Sequence, residues 1–216
     1  MVISTNSKLR VMTGRGIITT LWILLYKTPP MFFSIALGIA ATIMLVELKK
    51  MIPSWKNFIL LAPWYPIIPC MMLSFLHHHR SYQTIVPSLF LLCFTFDTAS
   101  YLAGKLYSKF WISTKIIPSI SPGKSWQGFF GGYLATTCVW IFINRNTHSS
   151  IEQTLLITLL FCIVAFAGDI FESYLKRSAN LKDSGTLLAG HGGLLDRFDS
   201  ILFVTYLAFF IKNELV

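Results

Sequence analysis

Four polar residues in the C-terminal third of the chain have the spacing of one helix face. Asp169, Glu172, Ser173 and Lys176 stand at positions i, i+3, i+4 and i+7, so on a helix they would point to the same side. The flanking sequence is apolar, and a carboxylate in such a sequence is costly unless it faces a cavity or a partner. The pattern predicts a binding site for a metal or a phosphate. A structural ion pair between Lys176 and one of the acids is the alternative.

A second pair of carboxylates follows a glycine-rich turn. Asp196 and Asp199 are spaced i, i+3 after His191, Gly192 and Gly193. Acids at a helix start also complement the helix dipole, which is the alternative explanation. Carboxylates that face each other from two helices suit Mg²⁺, which binds one or two carboxylates together with substrate phosphates. The predicted metal ligands are Asp169, Asp196, Glu172 and Asp199.

Basic residues surround both acidic pairs. Lys176, Arg177, Lys182 and Arg197 lie in the same stretch of sequence, and such cations bind phosphate oxygens. The glycines would let backbone N–H groups approach a phosphate closely. The combination indicates a nucleotide or a phospholipid phosphate, bound together with a metal.

Two further segments could contribute. The stretch 120–132 contains Ser121, Lys124 and Ser125, which could hold a phosphate or could form only a polar loop and a helix start. Asp97 and Tyr101 share a helical face inside an apolar run, where an acid is either functional or a hydrogen-bonded structural residue. The run His77–Arg80 could bind a metal, but a solvated loop is the favoured interpretation.

The elements that must position these residues are transmembrane helices. The 216 residues are 54% hydrophobic and 12% charged, whereas soluble domains are about 25% charged. Continuous apolar runs predict an all-α polytopic membrane protein, since barrel strands would alternate apolar and polar residues. The predicted spans are 14–28, 31–48, 58–76, 85–104, 127–144, 153–174 and 196–212.

The distribution of basic residues predicts the orientation. Of the 18 Lys and Arg, 14 lie in four segments. These are the N-terminal tail and the loops after the second, fourth and sixth spans, the last of them extended to Arg197. Because basic loops stay on the cytoplasmic side, the N-terminus and these loops are expected in the cytoplasm. The net charge of +9 therefore reflects topology and phosphate ligands, with no nucleic acid. Residues 1–84 are predicted to form N-terminal helices and 85–216 a catalytic core within one integral-membrane unit.

The motifs together resemble the phosphatidate cytidylyltransferase (CDP-diglyceride synthetase) family. The family signature reads here as Ser173–Arg177, Lys182–Gly185 and His191–Asp199. The segments 97–101 with Gly104, 120–125 and 168–173 look like other blocks of that family. Two residues depart from its pattern: Ala189 stands where Pro, Gly or Ser is expected, and Gln127 where many members carry Glu.

The resemblance implies an enzyme of phospholipid biosynthesis that converts CTP and phosphatidate to CDP-diacylglycerol and pyrophosphate. The implied cofactor is Mg²⁺, with a second cation left open, and the implied location is the bacterial cytoplasmic membrane with the site facing the cytoplasm. A homodimer is also left open. The predicted catalytic residues are Asp169, Asp196, Lys176 and Arg177. The predicted substrate-binding residues are Ser121, Lys124, Ser125, Ser173, Lys182, Asp183, His191, Gly192, Gly193 and Arg197, of which Asp183 is expected to pair with Lys182 or Arg177.

Other functions stay open on the residues. A CTP-dependent lipid kinase, or a cytidylyltransferase for another lipid phosphate, could use similar phosphate chemistry. A transporter or proton relay would also hold acids within the membrane, but it predicts acids spread across mid-membrane and broken helices in two halves. An inactive scaffold that keeps the fold is the last alternative.

Overall fold

A computed structural model describes residues 5–110, 114–145, 150–187 and 192–215, with the side chains of 5–13 and 110 left out. The described residues are helical with short connections, and an isolated bridge joins Lys115 to Ser125. The expected all-α fold is confirmed.

Each of the seven predicted spans coincides with helical structure. The helices are α1 (Thr5–Tyr26), α2 (Pro30–Met51), α3 (Trp55–Leu61), α4 (Ile68–His78), α5 (Ile85–Phe110), α6 (Trp126–Ile143), α7 (Ile151–Ser178) and α8 (Leu195–Phe210). The third predicted span is divided between α3 and α4 by an irregular turn at Pro63–Ile67. Two prolines in this turn explain the break, because proline removes a backbone donor from a helix. A short 3₁₀ turn, Lys212–Glu214, follows α8.

Four helical segments are long and apolar enough to cross a membrane: Pro30–Met51, Trp55–His78, Ile85–Lys109 and Ile151–Ser178. The apolar part of α1, Gly14–Tyr26, is shorter. The helices α6 and α8, of 18 and 16 residues, are not among the four. The prediction of a polytopic helical membrane protein is therefore confirmed. By length and apolar composition, four of the seven predicted spans can cross a membrane.

Helix packing brings one end of four helices together. α5 packs closely against α6, and α7 against α8, while α6 also packs on α7 and α5 on α8. Glycines permit the tightest approach: a Cβ at Gly168 of α7 would lie 2.6 Å from the backbone oxygen of Asp199 on α8. The C-terminal ends of α5 and α7 and the N-terminal ends of α6 and α8 thus meet at one end of the bundle.

The histidine run does not lie wholly in a solvated loop. His77 lies in the last turn of α4 with only 5% of its surface exposed, and its ring packs edge-on against Phe33. His78 and His79 are exposed. The expected solvated loop is therefore wrong for His77, because its position on the helix turns it toward α2.

Candidate active site

An open cavity of about 400 Å³ lies where the four helix ends meet. It is lined by polar residues of α5, α7 and α8, the loop before α6 and the loop before α8. Nine of the residues predicted for the site line it: Ser121, Lys124, Ser125, Asp169, Lys176, Asp183, Asp196, Arg197 and Asp199. Aromatic side chains of Phe96, Tyr101, Phe129 and Phe166 form a second, apolar part of its wall.

Lys176 joins the two predicted carboxylate faces. Its ammonium donates to Glu172 one turn earlier on α7 and, at 2.6 Å, to Asp196 Oδ1 on α8. The side chain of Glu172 is fully buried, and its Oε1 has no hydrogen-bond partner. The ion pair weighed as an alternative is therefore present, and it connects α7 to α8.

Asp196 is the most extensively hydrogen-bonded acid that lines the cavity. Its Oδ1 accepts from Lys176. Its Oδ2 accepts from Ser184 N at 2.9 Å, Ser184 Oγ at 3.0 Å and Gly193 N at 2.8 Å. Burial opposes ionisation, but the bonds from Lys176, Gly193 and Ser184 outweigh it and lower the pKa of the Asp196 carboxyl below its usual value. The carboxylate is thus held ionised in one orientation.

The loop before α6 contributes the second lysine. Lys124 Nζ lies 2.7 Å from Asp169 Oδ2, and both side chains are partly exposed to the cavity. The other oxygen of Asp169 accepts from Ser173 Oγ at 3.4 Å. Ser125 is the N-cap of α6, where its Oγ accepts from Gly128 N at 3.2 Å. The serine therefore fixes the loop that carries Lys124, as well as lining the cavity.

Two further acids lie at this end of the bundle. Asp97 on α5 lines the cavity, and so does Asp199 on α8. Asp199 interacts electrostatically with Asp169, Glu172 and Asp97. Carboxyl groups from three helices thus lie near one another here, and a cation bound among them would favour their ionised forms. The position of Asp97 favours the functional interpretation over that of a structural acid remote from the site.

Several predicted residues have other contacts. Arg177 donates to two backbone oxygens, Ile120 O at 3.3 Å and Leu181 O at 3.0 Å. Lys182 and Asp183 are exposed. The expected pairing of Asp183 with Lys182 or Arg177 is wrong: Asp183 is exposed, and Arg177 bonds to backbone oxygens instead.

The glycine-rich turn contacts protein carboxylates. Gly192 has a φ of +81°, which favours glycine, and a Cβ there would lie 2.5 Å from Asp196 Oδ2. The sequence predicts that these glycines bring N–H groups to a phosphate. In the structure the N–H of Gly193 is instead bound to a protein carboxylate, that of Asp196. His191 and Ala189 lie outside the described residues.

The second departure from the signature lies beside the cavity. Gln127 Nε2 donates to Thr114 Oγ1 at 2.9 Å. Gln127 thereby ties the first turn of α6 to the preceding loop, without contacting the acids described above.

Glu47 on α2 is a residue of this region that sequence reasoning missed. It is 3% exposed, and it accepts hydrogen bonds from Ser184, Leu194 and Leu195. The available signal was an acid within an apolar run, the feature that singled out Asp97. Its partners lie 137 to 148 positions away in the sequence, so no local pattern connects them.

The described residues contain no group of three or more His, Cys, Asp or Glu arranged to hold a metal ion. The acids nevertheless suit Mg²⁺ in type, because this ion typically takes one or two protein carboxylates and completes its shell with water and phosphate oxygens. The buried Oε1 of Glu172 has no hydrogen-bond partner, and Lys176 connects the carboxylates of Glu172 and Asp196.

Comparison with known proteins gives consistent results. The model of the Cytidylyltransferase family matches residues 55–213. The phosphatidate cytidylyltransferase of Rickettsia conorii is 30% identical over 216 residues, which cover 96% of this chain and 92% of the relative. That of Rickettsia prowazekii is 31% identical over 218 residues, with the same coverage. The phosphatidate cytidylyltransferase of Staphylococcus epidermidis is 42% identical over 117 residues, or 53% of this chain and 44% of the relative.

Proposed function

The chain belongs to the cytidylyltransferase family, and we propose that it transfers the cytidylyl group of CTP to phosphatidate. The products are CDP-diacylglycerol and pyrophosphate, and the reaction belongs to phospholipid biosynthesis. One observation carries the proposal: the cavity combines acids of three helices, two lysines and an aromatic wall at the end of an apolar bundle. Such a cavity suits a substrate pair of which one member is a nucleotide and the other a lipid phosphate.

The reaction joins two anions. An oxygen of the phosphatidate phosphate attacks the α-phosphorus of CTP, and the bond from that phosphorus to the bridging oxygen of the β-phosphate breaks. Pyrophosphate leaves with the electron pair of that bond. The attacking phosphate is already ionised, so no general base is essential. Catalysis therefore depends on positioning the reactants and on stabilising charge.

Lys124 and Lys176 supply positive charge for this step. Each lysine is paired with a carboxylate within the cavity, Lys124 with Asp169 and Lys176 with Asp196. Each ammonium can exchange that carboxylate for a phosphate oxygen, since both are anionic acceptors. Arg197 also lines the cavity and adds a third cation near the phosphates. Ser121 and Ser125 line the nucleotide side.

Asp169 and Asp196 would hold Mg²⁺, with Glu172 and Asp199 as the nearby acids. When bound, the ion would supply charge that stabilises the phosphate oxygens and the departing pyrophosphate. The acids keep this charge within the cavity, and the two lysines orient the acids. A second cation stays a prediction.

The aromatic wall suits the lipid. Phe96, Phe129 and Phe166 face the same cavity as the acids, and Tyr101 is 64% exposed on α5. The glycerol and the first acyl carbons of phosphatidate can pack on these rings while the phosphate reaches the lysines. The lipid then enters from the bilayer and CTP from the aqueous side.

The proposed location is the bacterial cytoplasmic membrane, with the cavity facing the cytoplasm. The bundle end that carries the cavity also carries Lys49 and Lys50 at the end of α2, as expected for a cytoplasmic end. CTP is a cytoplasmic metabolite, which agrees with this orientation. The four helices that can cross a membrane would anchor the chain. A homodimer and the division at residue 84 stay predictions.

The test uses CTP labelled at either phosphorus, with purified protein in detergent and phosphatidate. A cytidylyltransferase places the α-label in the lipid and releases the γ-label as pyrophosphate. A CTP-dependent lipid kinase places the γ-label in the lipid, which would overturn the proposal. Substitution of phosphatidate by another lipid phosphate distinguishes a cytidylyltransferase of different specificity. Absence of both labels from the lipid would favour the inactive scaffold or the transporter.

A further inference from the structure

Glu47 lies more than 130 positions before the motif residues that it contacts, and its carboxylate is buried. It lies near the C-terminal end of α2, in a helix that supplies no residue to the cavity wall described above, and is 3% exposed. A buried carboxylate is costly unless its oxygens are hydrogen-bonded. The contacts of Glu47 therefore indicate why an acid is present.

Both oxygens of Glu47 accept hydrogen bonds from the start of α8. Oε1 accepts from Leu194 N at 3.0 Å, and Oε2 accepts from Leu195 N at 2.8 Å. The N-cap residue of α8 is Leu194, whose side chain cannot cap the helix. The first N–H groups of a helix have no acceptor within the helix, and the positive end of the helix dipole lies at the same terminus, so an anion is favoured there. Glu47 thus caps α8 from a different helix.

Glu47 also contacts the loop that holds Asp196. Its Oε2 accepts from Ser184 Oγ at 3.2 Å, and the same hydroxyl lies 3.0 Å from Asp196 Oδ2. A hydroxyl has one proton, so the two carboxylates share one donor. Each of them also binds backbone N–H groups of the turn that begins α8.

The glycines of the signature make room for Glu47. A Cβ at Gly185 would lie 2.5 Å from Glu47 Oε1, and a Cβ at Gly193 would lie 2.6 Å from the same oxygen. The loop can therefore close around this carboxylate only where side chains are absent. Gly193 also donates its N–H to Asp196 at 2.8 Å. The same residue therefore packs on Glu47 and orients Asp196.

We propose that Glu47 is a positioning residue of the active site, which orients the Asp196 carboxylate by capping α8 and binding Ser184. This inference rests on the proposed function, because it assigns Glu47 a role in the same reaction. Glu47 acts through Asp196 and the 184–195 loop and touches no reacting atom. A purely structural role would predict a loss of stability without a change in the kinetics of the folded protein.

The experiment compares Glu47→Gln, Glu47→Asp and the control Glu152→Gln, which changes an exposed acid in the first turn of α7. Glutamine offers one acceptor oxygen in place of two and removes the charge. We expect Glu47→Gln to lower kcat and raise the Mg²⁺ concentration for half-maximal activity by about 10- to 100-fold, as for other residues that orient metal ligands. Glu47→Asp should restore part of both values, and Glu152→Gln should match wild type.

A second readout does not depend on activity. Hydrogen exchange of the described amides at 184–187 and 192–195 should accelerate in Glu47→Gln, while exchange in α5 and α6 stays unchanged. Wild-type kcat and Mg²⁺ dependence in a folded Glu47→Gln protein would overturn the proposal, and so would unchanged exchange in this loop. A Glu47→Gln protein with lowered stability but with wild-type kcat per folded molecule would also overturn the proposal. Failure of the wild type to transfer the α-label would instead count against the proposed function.

Discussion

Lys124 Nζ lies 2.7 Å from Asp169 Oδ2, which joins the loop before α6 to the C-terminal half of α7. The two residues come from separate blocks of the sequence, 45 positions apart. The pair is balanced in charge, and it places an ammonium beside a predicted metal ligand. The contact gives the 120–125 segment a role in the site that the sequence alone left open.

The first prediction concerns Lys124. Lys124→Gln removes a proposed charged donor to a substrate phosphate, a bond that contributes about 1.5–3 kcal/mol, so the KM for CTP should rise about 10-fold or more. Steady-state assays with varied CTP measure this change. The control is Lys115→Gln, an exposed lysine of the same loop, which should leave the KM unchanged. An unaltered KM in Lys124→Gln would remove this lysine from the nucleotide site.

The second prediction concerns Asp196. Asp196→Asn replaces a charged, proposed metal ligand by an amide of the same shape, and turnover should fall by about 100-fold or more, as when one charge-stabilising group is lost. Size-exclusion chromatography in detergent checks that the variant is folded. Glu152→Gln is again the matched control. Wild-type turnover in Asp196→Asn would contradict the assignment of Asp196 to the metal.

The third prediction concerns the metal. Incubation with EDTA should abolish transfer of the α-label, and excess Mg²⁺ should restore it, because the acids alone would repel the substrate phosphates. The same samples measured by thermal unfolding separate loss of metal from loss of fold. Full activity in EDTA would remove the metal from the mechanism.

The fourth prediction separates two roles of Arg177. The guanidinium bonds to Ile120 O and Leu181 O predict that it braces two loops, whereas the sequence predicts a phosphate contact. Lysine keeps the charge but cannot reproduce the two-directional bonding of arginine. If Arg177 acts by connecting the two loops, Arg177→Lys should lower kcat as much as Arg177→Gln does. Substantial activity in Arg177→Lys alone would favour the phosphate contact.

The fifth prediction concerns helix packing beneath the site. A Cβ at Gly168 would lie 2.6 Å from Asp199 O and 3.1 Å from Ser200 Cα, so Gly168→Ala must separate α7 from α8. Such overpacking costs about 1–3 kcal/mol, and the thermal unfolding midpoint in detergent should fall together with activity. Gly38→Ala in α2 meets no atom within 4 Å and should unfold at the wild-type temperature or slightly above it. Equal midpoints for the two variants would contradict the close approach.

The sequence by itself determined the helical fold, the approximate bounds of the helices and most of the cavity lining. These follow from local information: continuous apolar runs specify helices in a membrane, and the i, i+3, i+4, i+7 spacing places Asp169 and Lys176 on one face of α7. The family signature marked Asp196 and Arg197 for the same reason, since its residues are close in the chain.

Only the tertiary structure decided which charged groups meet. The contacts of Lys124 with Asp169, and of Lys176 with Asp196, depend on how four helix ends converge. The roles of Arg177 and Gly193 changed because their partners are backbone and carboxylate groups of other segments. Glu47 went unnoticed because its partners are more than 130 residues away, and hydrogen bonds over that separation leave no periodic signal in the sequence.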